Sequence, residues 1–180
     1  MSMVRDPVER FISFFYFIKA NRAFTPEAWT DNYMKLDLNE CTPSGLPECQ
    51  PRPGDITELQ LTFFCGHDPK CRVVGNRWAL QMAMENVENF IAIGIAEDIP
   101  TSLFVFEYYL PTFFENYKAV NLSSGTIKLN QRPGLYAPSI SNTTRAILRS
   151  SMKEDIEFYD FIRQRLFRQA KSISAIKKTY

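Results

Sequence analysis

Val4-Arg5-Asp6-Pro7-Val8-Glu9-Arg10-Phe11-Ile12-Ser13 is the stretch on which the reading of this chain turns. Val4 and Arg5 read as the end of a strand. Asp6 is a strong helix N-cap, because its carboxylate accepts free N–H groups of the first turn, and Pro7 suits the first helical position. The helix predicted from there runs to about Lys19. It is apolar on most sides through Val8, Phe11, Ile12, Phe14, Phe15, Phe17 and Ile18, which implies burial. Arg5 offers a planar fork of donors that matches phosphate, and Ser13 adds a neutral hydroxyl. Asp6 and Ser13 are separated by about 700° of helix, so Ser13 lies on nearly the same face as the cap. That face is free to look toward a ligand. The same features also suit a plain capped turn, in which Arg5 pairs with a carboxylate and Ser13 meets neighbouring backbone.

Downstream, Thr25-Pro26-Glu27 repeats the cap logic and predicts a short helix through Met34. Residues 36–54, rich in Pro, Gly and Cys, read as an ordered loop. Leu59 to Phe64 suits a strand or a short helix; periodicity does not decide. Arg77 to Asn89 has helical spacing, with a Trp78 that reads as buried. The continuous apolar run Phe90 to Ile95 predicts a buried strand, and Thr101 to Leu110 a helix interrupted at Pro111. Residues 121–138 read as a loop. A last helix is predicted from about Met152 to Lys171. Glu154, Asp155 and Glu157 at its start and Arg165, Arg168 and Lys171 at its end complement the helix dipole. Helices around a buried strand imply the α/β class. Only two or three strands are legible, fewer than a parallel sheet needs, so further strands are expected upstream.

The 180 residues suffice for one domain with a core, and 15 Phe, 8 Tyr and 2 Trp argue for a well-filled one. The net charge of +1 gives no global field toward nucleic acid or an anionic membrane, so an anionic ligand needs a local cluster. No apolar run is long enough for a transmembrane helix, and the first residues lack the pattern of a signal peptide. The four cysteines point elsewhere. Cys41 lies near Cys49 and Cys65 near Cys71, and an even count in short loops suits disulfides of an oxidising compartment. The sequons at Asn121 and Asn142 agree with glycosylation there. Luminal chemistry without a leader gives the expectation that the chain is truncated at its start. A zinc site of His67, Cys65, Cys71 and Cys41 or Cys49 is an alternative, though its spacing fits no common finger; a Cys–His nucleophile pair is another.

Arg-Asp-Pro-x-x-Arg-x-x-Ser after a strand resembles the 3′-phosphate-binding motif of PAPS-dependent sulfotransferases. Further segments resemble the uronyl and heparan sulfate 2-O-sulfotransferases in order and spacing: Asn39-Glu40-Cys41 with Cys49, Phe63-Phe64-Cys65-Gly66-His67 with Cys71, Asn76-Arg77-Trp78-Ala79, Gly94-Ile95-Ala96-Glu97, Leu110-Pro111-Thr112-Phe113-Phe114 and Glu157-Phe158-Tyr159. The similarity spans nearly all of residues 3–168.

That resemblance implies an incomplete P-loop-kinase-like sulfotransferase fold, a parallel sheet flanked by helices. Residues 1–180 would form the 3′-phosphate-binding half of the domain, with cysteine-stapled loops within 36–75 closed by Cys41–Cys49 and Cys65–Cys71. Arg5 and Ser13 would hold the 3′-phosphate of PAPS or its product PAP, without a metal. The sulfuryl group would pass to the 2-hydroxyl of a uronic acid in heparan or dermatan/chondroitin sulfate. The partner would be the glycosaminoglycan and not a nucleic acid. The complete protein would be a homotrimer on the luminal side of the Golgi membrane, anchored by an N-terminal segment absent here. A loop near Lys128 to Tyr136, with Lys128 and Arg132, would close over the nucleotide. The family's phosphosulfate loop and catalytic histidine precede the Arg-Asp-Pro motif, and His67 matches the Cys-Gly-His segment instead. No catalytic residue is therefore assigned, and the chain alone is expected to be inactive. The alternatives are a non-catalytic relative that binds nucleotide or glycan, and a stapled secreted interaction module. Lys19, Arg22, Lys70, Arg72 and Arg77 suit either a polyanion contact or ordinary surface charge.

Overall fold

The strand-to-helix turn predicted at Arg5 and Asp6 is present. A computed structural model describes residues 1–20, 35–51, 60–115 and 139–179. Strand β1 (Ser2–Val4) leads into helix α1 (Pro7–Ala20). The Asp6 carboxylate accepts the N–H groups of Val8 at 2.9 Å and Glu9 at 3.1 Å, as an N-cap should. The buried side of α1 is Val8, Phe11, Ile12, Phe15 and Ile18, while Phe17 stays exposed.

Short helix α2 (Leu38–Cys41) starts from an Asp37 cap and is followed by a 3₁₀ turn at Pro47–Cys49. The ambiguous apolar run becomes helix α3 (Gln60–Cys65). Tertiary contacts decide this: the Leu61 N–H lies on a buried carboxylate, and the Phe64 ring packs against Phe90 and Phe158 at 5.3 and 5.1 Å between centroids. A second 3₁₀ turn, Pro69–Arg72, precedes helix α4 (Arg77–Val87), capped by Asn76. Trp78 is 37% exposed rather than buried, with the Lys70 ammonium 5.2 Å from its ring centre.

The strand predicted over residues 90–95 shortens to β2 (Ile93–Ile95). The carbonyls of Phe90 and Ile91 are taken by the side chains of Arg165 at 2.7 Å and Gln169 at 2.9 Å, so they join no ladder. β2 pairs with β1 in parallel, Ser2 opposite Ile93 and Val4 opposite Ile95. After a 3₁₀ turn at Ala96–Asp98, helix α5 (Ile99–Tyr109) begins two residues earlier than the sequence suggests, with Asp98 as cap and Pro100 in its first turn. It stops before Pro111, as expected, and helix α6 (Pro111–Phe114) follows. α5 lies directly on β2. A Cβ at Gly94 would stand 2.8 Å from both Phe106 Cζ and Ser102 Cβ. The buried Ser102 hydroxyl accepts the Ile95 N–H at 2.9 Å.

The C-terminal helix predicted from about Met152 to Lys171 is present, and a further helix precedes it. Helix α7 (Asn142–Ser151), capped by Ser141, was not legible beforehand. Met152 breaks the run, and helix α8 (Lys153–Thr179) continues past the expected end. One apolar cluster joins β1, β2, α3, α4, α5 and α8. A second joins α1, α2, the Cys41 and Cys49 sulfurs, Leu148 and Met152. A two-stranded parallel sheet flanked by helices is compatible with the α/β sulfotransferase fold. No helix among the described residues is long and apolar enough to cross a membrane. The helix expected at 25–34, the loop at 121–138 and with them Arg22, Asn121, Lys128 and Arg132 lie outside the described residues.

Candidate functional site

Arg5 is the first residue beyond β1, where its ladder ends. Its N–H and C=O therefore need partners from elsewhere. The side-chain amide of Gln60 supplies both: Oε1 accepts the Arg5 N–H at 2.7 Å, and Nε2 donates to the Arg5 carbonyl at 2.6 Å. The Arg5 side chain remains 43% exposed and approaches Glu97 through Nε at 4.0 Å, the outer limit of an ion pair. Glu97 Oε1 also accepts the Asp6 N–H at 2.9 Å, and Oε2 accepts the Tyr159 hydroxyl at 2.9 Å. Burial, with the adjoining Glu97 carboxylate, pushes the Tyr159 phenol above its ordinary range, so it stays a donor. The free oxygen of the Asp6 cap accepts from Arg149 at 3.2 Å.

Ser13 is exposed on α1. By helix geometry it stands about 10 Å along the axis from the Asp6 cap. One cleft beside the turn, about 540 Å³, is lined by Asp6, Glu9, Glu97, Asp98, Arg149 and Arg163, among others. Its carboxylates make it a poor seat for phosphate.

The structure joins Cys41 to Cys49 and Cys65 to Cys71, with Cα separations of 5.9 and 5.6 Å. His67, exposed within the second loop, thus has no thiolate beside it for zinc or nucleophile chemistry. Of the basic residues weighed for a polyanion, Arg77 is paired with Glu157 through two contacts, and that hydrogen bonding holds the Glu157 carboxyl below the usual range. Lys19 donates to the Leu36 carbonyl. Arg72 is exposed, and Lys70 rests over Trp78. Asn142 is exposed as the first residue of α7, whereas Thr144 of its sequon is buried, its hydroxyl on Asn39.

The model of the Sulfotransferase family matches residues 1–162. This chain belongs to the sulfotransferase family. Heparan sulfate 2-O-sulfotransferase 1 of Xenopus laevis is 31% identical over 163 residues, covering 89% of this chain and 45% of that protein. The Drosophila melanogaster uronyl 2-sulfotransferase homolog pip is 31% identical over 200 residues, covering 99% of this chain and 38% of the relative. The uronyl 2-sulfotransferase of Mus musculus is 30% identical over 174 residues, covering 91% and 42%. The chain thus spans less than half the length of these relatives. The stretch matched to the sulfotransferase family contains Arg5, Ser13 and both disulfide loops, and ends within α8. Sequence reading noticed Glu97 and Tyr159 only as parts of family-like segments, and missed Gln60. Nothing local marks an exposed-looking glutamine as the partner of a residue 55 positions away.

Proposed function

We propose that this chain supplies the 3′-phosphate-binding part of a glycosaminoglycan 2-O-sulfotransferase, with Arg5 and Ser13 as the phosphate ligands. The observation that carries the reading is the accessible Arg5 guanidinium at a capped β1–α1 turn, inside the stretch matched to the family. PAPS, when bound, supplies the sulfuryl group that passes to the 2-hydroxyl of a uronic acid. The residues present suit its 3′-phosphate. Arg5 contributes a guanidinium that meets its nearest carboxylate only at 4.0 Å, and Ser13 an exposed hydroxyl. Charge-assisted donors of this kind make the stronger hydrogen bonds to phosphate. Arg5 orients the nucleotide, and the Glu97 contact keeps its side chain near the turn before the ligand arrives. No residue of this chain is assigned as the general base.

The names of the relatives support a glycosaminoglycan acceptor, and the two disulfides support work in an oxidising lumen. The whole protein is proposed as a homotrimer of the Golgi. Both sequons are proposed as glycan acceptors. Titration with adenosine 3′,5′-bisphosphate tests the phosphate assignment. Arg5→Ala is expected to weaken binding by roughly tenfold or more, and Ser13→Ala by less. Arg5→Lys, which lacks the planar fork, restores only part of the loss. Equal binding by wild type and Arg5→Ala would show that the phosphate sits elsewhere.

A further inference from the structure

We propose that Gln60 is a positioning residue for the 3′-phosphate site: its side-chain amide fixes the backbone of Arg5 and so aims the guanidinium. The inference rests on the reading of Arg5 as a phosphate ligand and adds what holds that ligand in place.

β1 ends at Val4, paired with Ile95, and β2 ends at the same level. Ser2 turns its N–H to the Ala92 carbonyl of the chain entering β2, so by strand alternation Arg5 turns its N–H and C=O to the other side of β1, where no strand is paired among the described residues. A primary amide carries a donor and an acceptor in one plane, as a neighbouring peptide group does. Gln60 uses both on Arg5, at 2.7 and 2.6 Å. With its N–H and C=O both held, Arg5 has little freedom in φ and ψ, and the direction of its Cα–Cβ bond is set just before the Pro7 helix begins. A long arginine amplifies any loss of that constraint, because a small backbone rotation displaces the far end of the side chain most.

Gln60 is itself held. It is the first residue of α3, and the next N–H, of Leu61, lies 3.3 Å from the carboxylate of Asp155, which is 5% exposed. Leu61 and Phe64, on the same short helix, are buried in the larger core cluster. The support runs from α8 through α3 to the end of β1. Gln60 also faces the side of β1 away from Glu97, which approaches Arg5 by its side chain and the next residue by its N–H. One residue holds the backbone, the other the guanidinium.

The test is a double-mutant cycle on the full chain. Wild type, Gln60→Met, Arg5→Ala and the double variant are titrated with adenosine 3′,5′-bisphosphate and with adenosine 5′-phosphate, which lacks the 3′ group. Gln60→Met keeps the side-chain length and removes both hydrogen bonds. It is expected to weaken the bisphosphate by about tenfold, to leave the monophosphate unchanged, and to add nothing in the Arg5→Ala background. A loss that is equal for both nucleotides, or that persists in full without Arg5, would make Gln60 a merely structural residue and overturn the proposal. If Arg5→Ala binds the bisphosphate as wild type does, the phosphate reading fails first and takes this inference with it. Should Gln60→Met fail to fold by circular dichroism, Gln60→Asn, whose amide is one methylene short, is read by the same ratio of affinities.

Discussion

The carboxylate of Asp155 accepts the backbone N–H of Leu61 at 3.3 Å, across 94 residues of sequence, and only 5% of Asp155 is exposed. Burial pushes its carboxyl up to about 6, against the pull of the Leu61 N–H and of Arg10. The unfolded carboxyl titrates near 3.8, so between these two values the folded protein holds the proton more tightly. Stability from this group is greatest below the lower value and is lost as pH rises through the upper one. Asp155→Asn keeps an acceptor for Leu61 without the charge. Measured by urea unfolding, its stability relative to wild type is expected to rise by about 3 kcal/mol across that window and then level off. A difference that does not change with pH would remove the buried ionisable carboxyl from the account.

Gly94 has no room for a side chain. Gly94→Ala puts a methyl group 2.8 Å from Phe106 and Ser102, on two residues that are themselves buried. α5 must then withdraw from β2, and the hydrogen bond from Ile95 to Ser102 lengthens with it. The expected cost is about 1–3 kcal/mol, seen as a lower thermal midpoint. An unchanged midpoint would mean that α5 moves freely on the sheet.

Asn39 ties the first disulfide loop to the start of α7. Its Oδ1 accepts the Ser141 N–H at 2.8 Å and the Thr144 hydroxyl at 3.1 Å, and its Nδ2 donates to the Ser139 carbonyl at 3.1 Å. Asn39→Ala strips these at once, leaving the buried Thr144 hydroxyl with Ser141 alone. A loss of roughly 1–2 kcal/mol is expected, with faster amide exchange confined to the first turn of α7. Exchange that quickens evenly along the chain would point to a global effect instead.

The Cys41–Cys49 disulfide lies in the smaller core cluster, where Cys49 has no exposed surface. Replacing both cysteines by serine is expected to cost about 2–3 kcal/mol, from the freed unfolded chain and from two hydroxyls placed in an apolar site. Peptide mapping without reductant should recover Cys41 with Cys49 and Cys65 with Cys71. Any cross-linked fragment pairing the two loops would contradict the structure.

Much of the candidate site was legible because its signals are short. The Asp6 cap and Pro7 act within one turn, and each disulfide closes a loop of a few residues, so neighbours in sequence decide them. Where propensity was weak, the sequence misled. Phe90 and Ile91 have the residues of a strand, yet their carbonyls go to Arg165 and Gln169, which no local pattern pairs with them. Trp78 looked like core, but its helix turns that face outward beside Lys70. Helix α7 went unpredicted because half of its residues are Asn, Thr and Ser, weak helix formers; Leu148, packed with Met152 in the smaller cluster, holds it.

The sequence by itself determined the family, the capped turn that presents Arg5, the exposed polar face of α1 at Ser13 and the local cysteine pairs. Those features rest on side chains acting on backbone a few residues away. The tertiary structure alone decided that Gln60 holds Arg5, that Glu97 joins Asp6 to Tyr159, and that Asp155 starts α3. Each of these is a polar contact between distant segments. It forms because burying the two apolar clusters brings those segments together, and because backbone groups removed from water must find partners there.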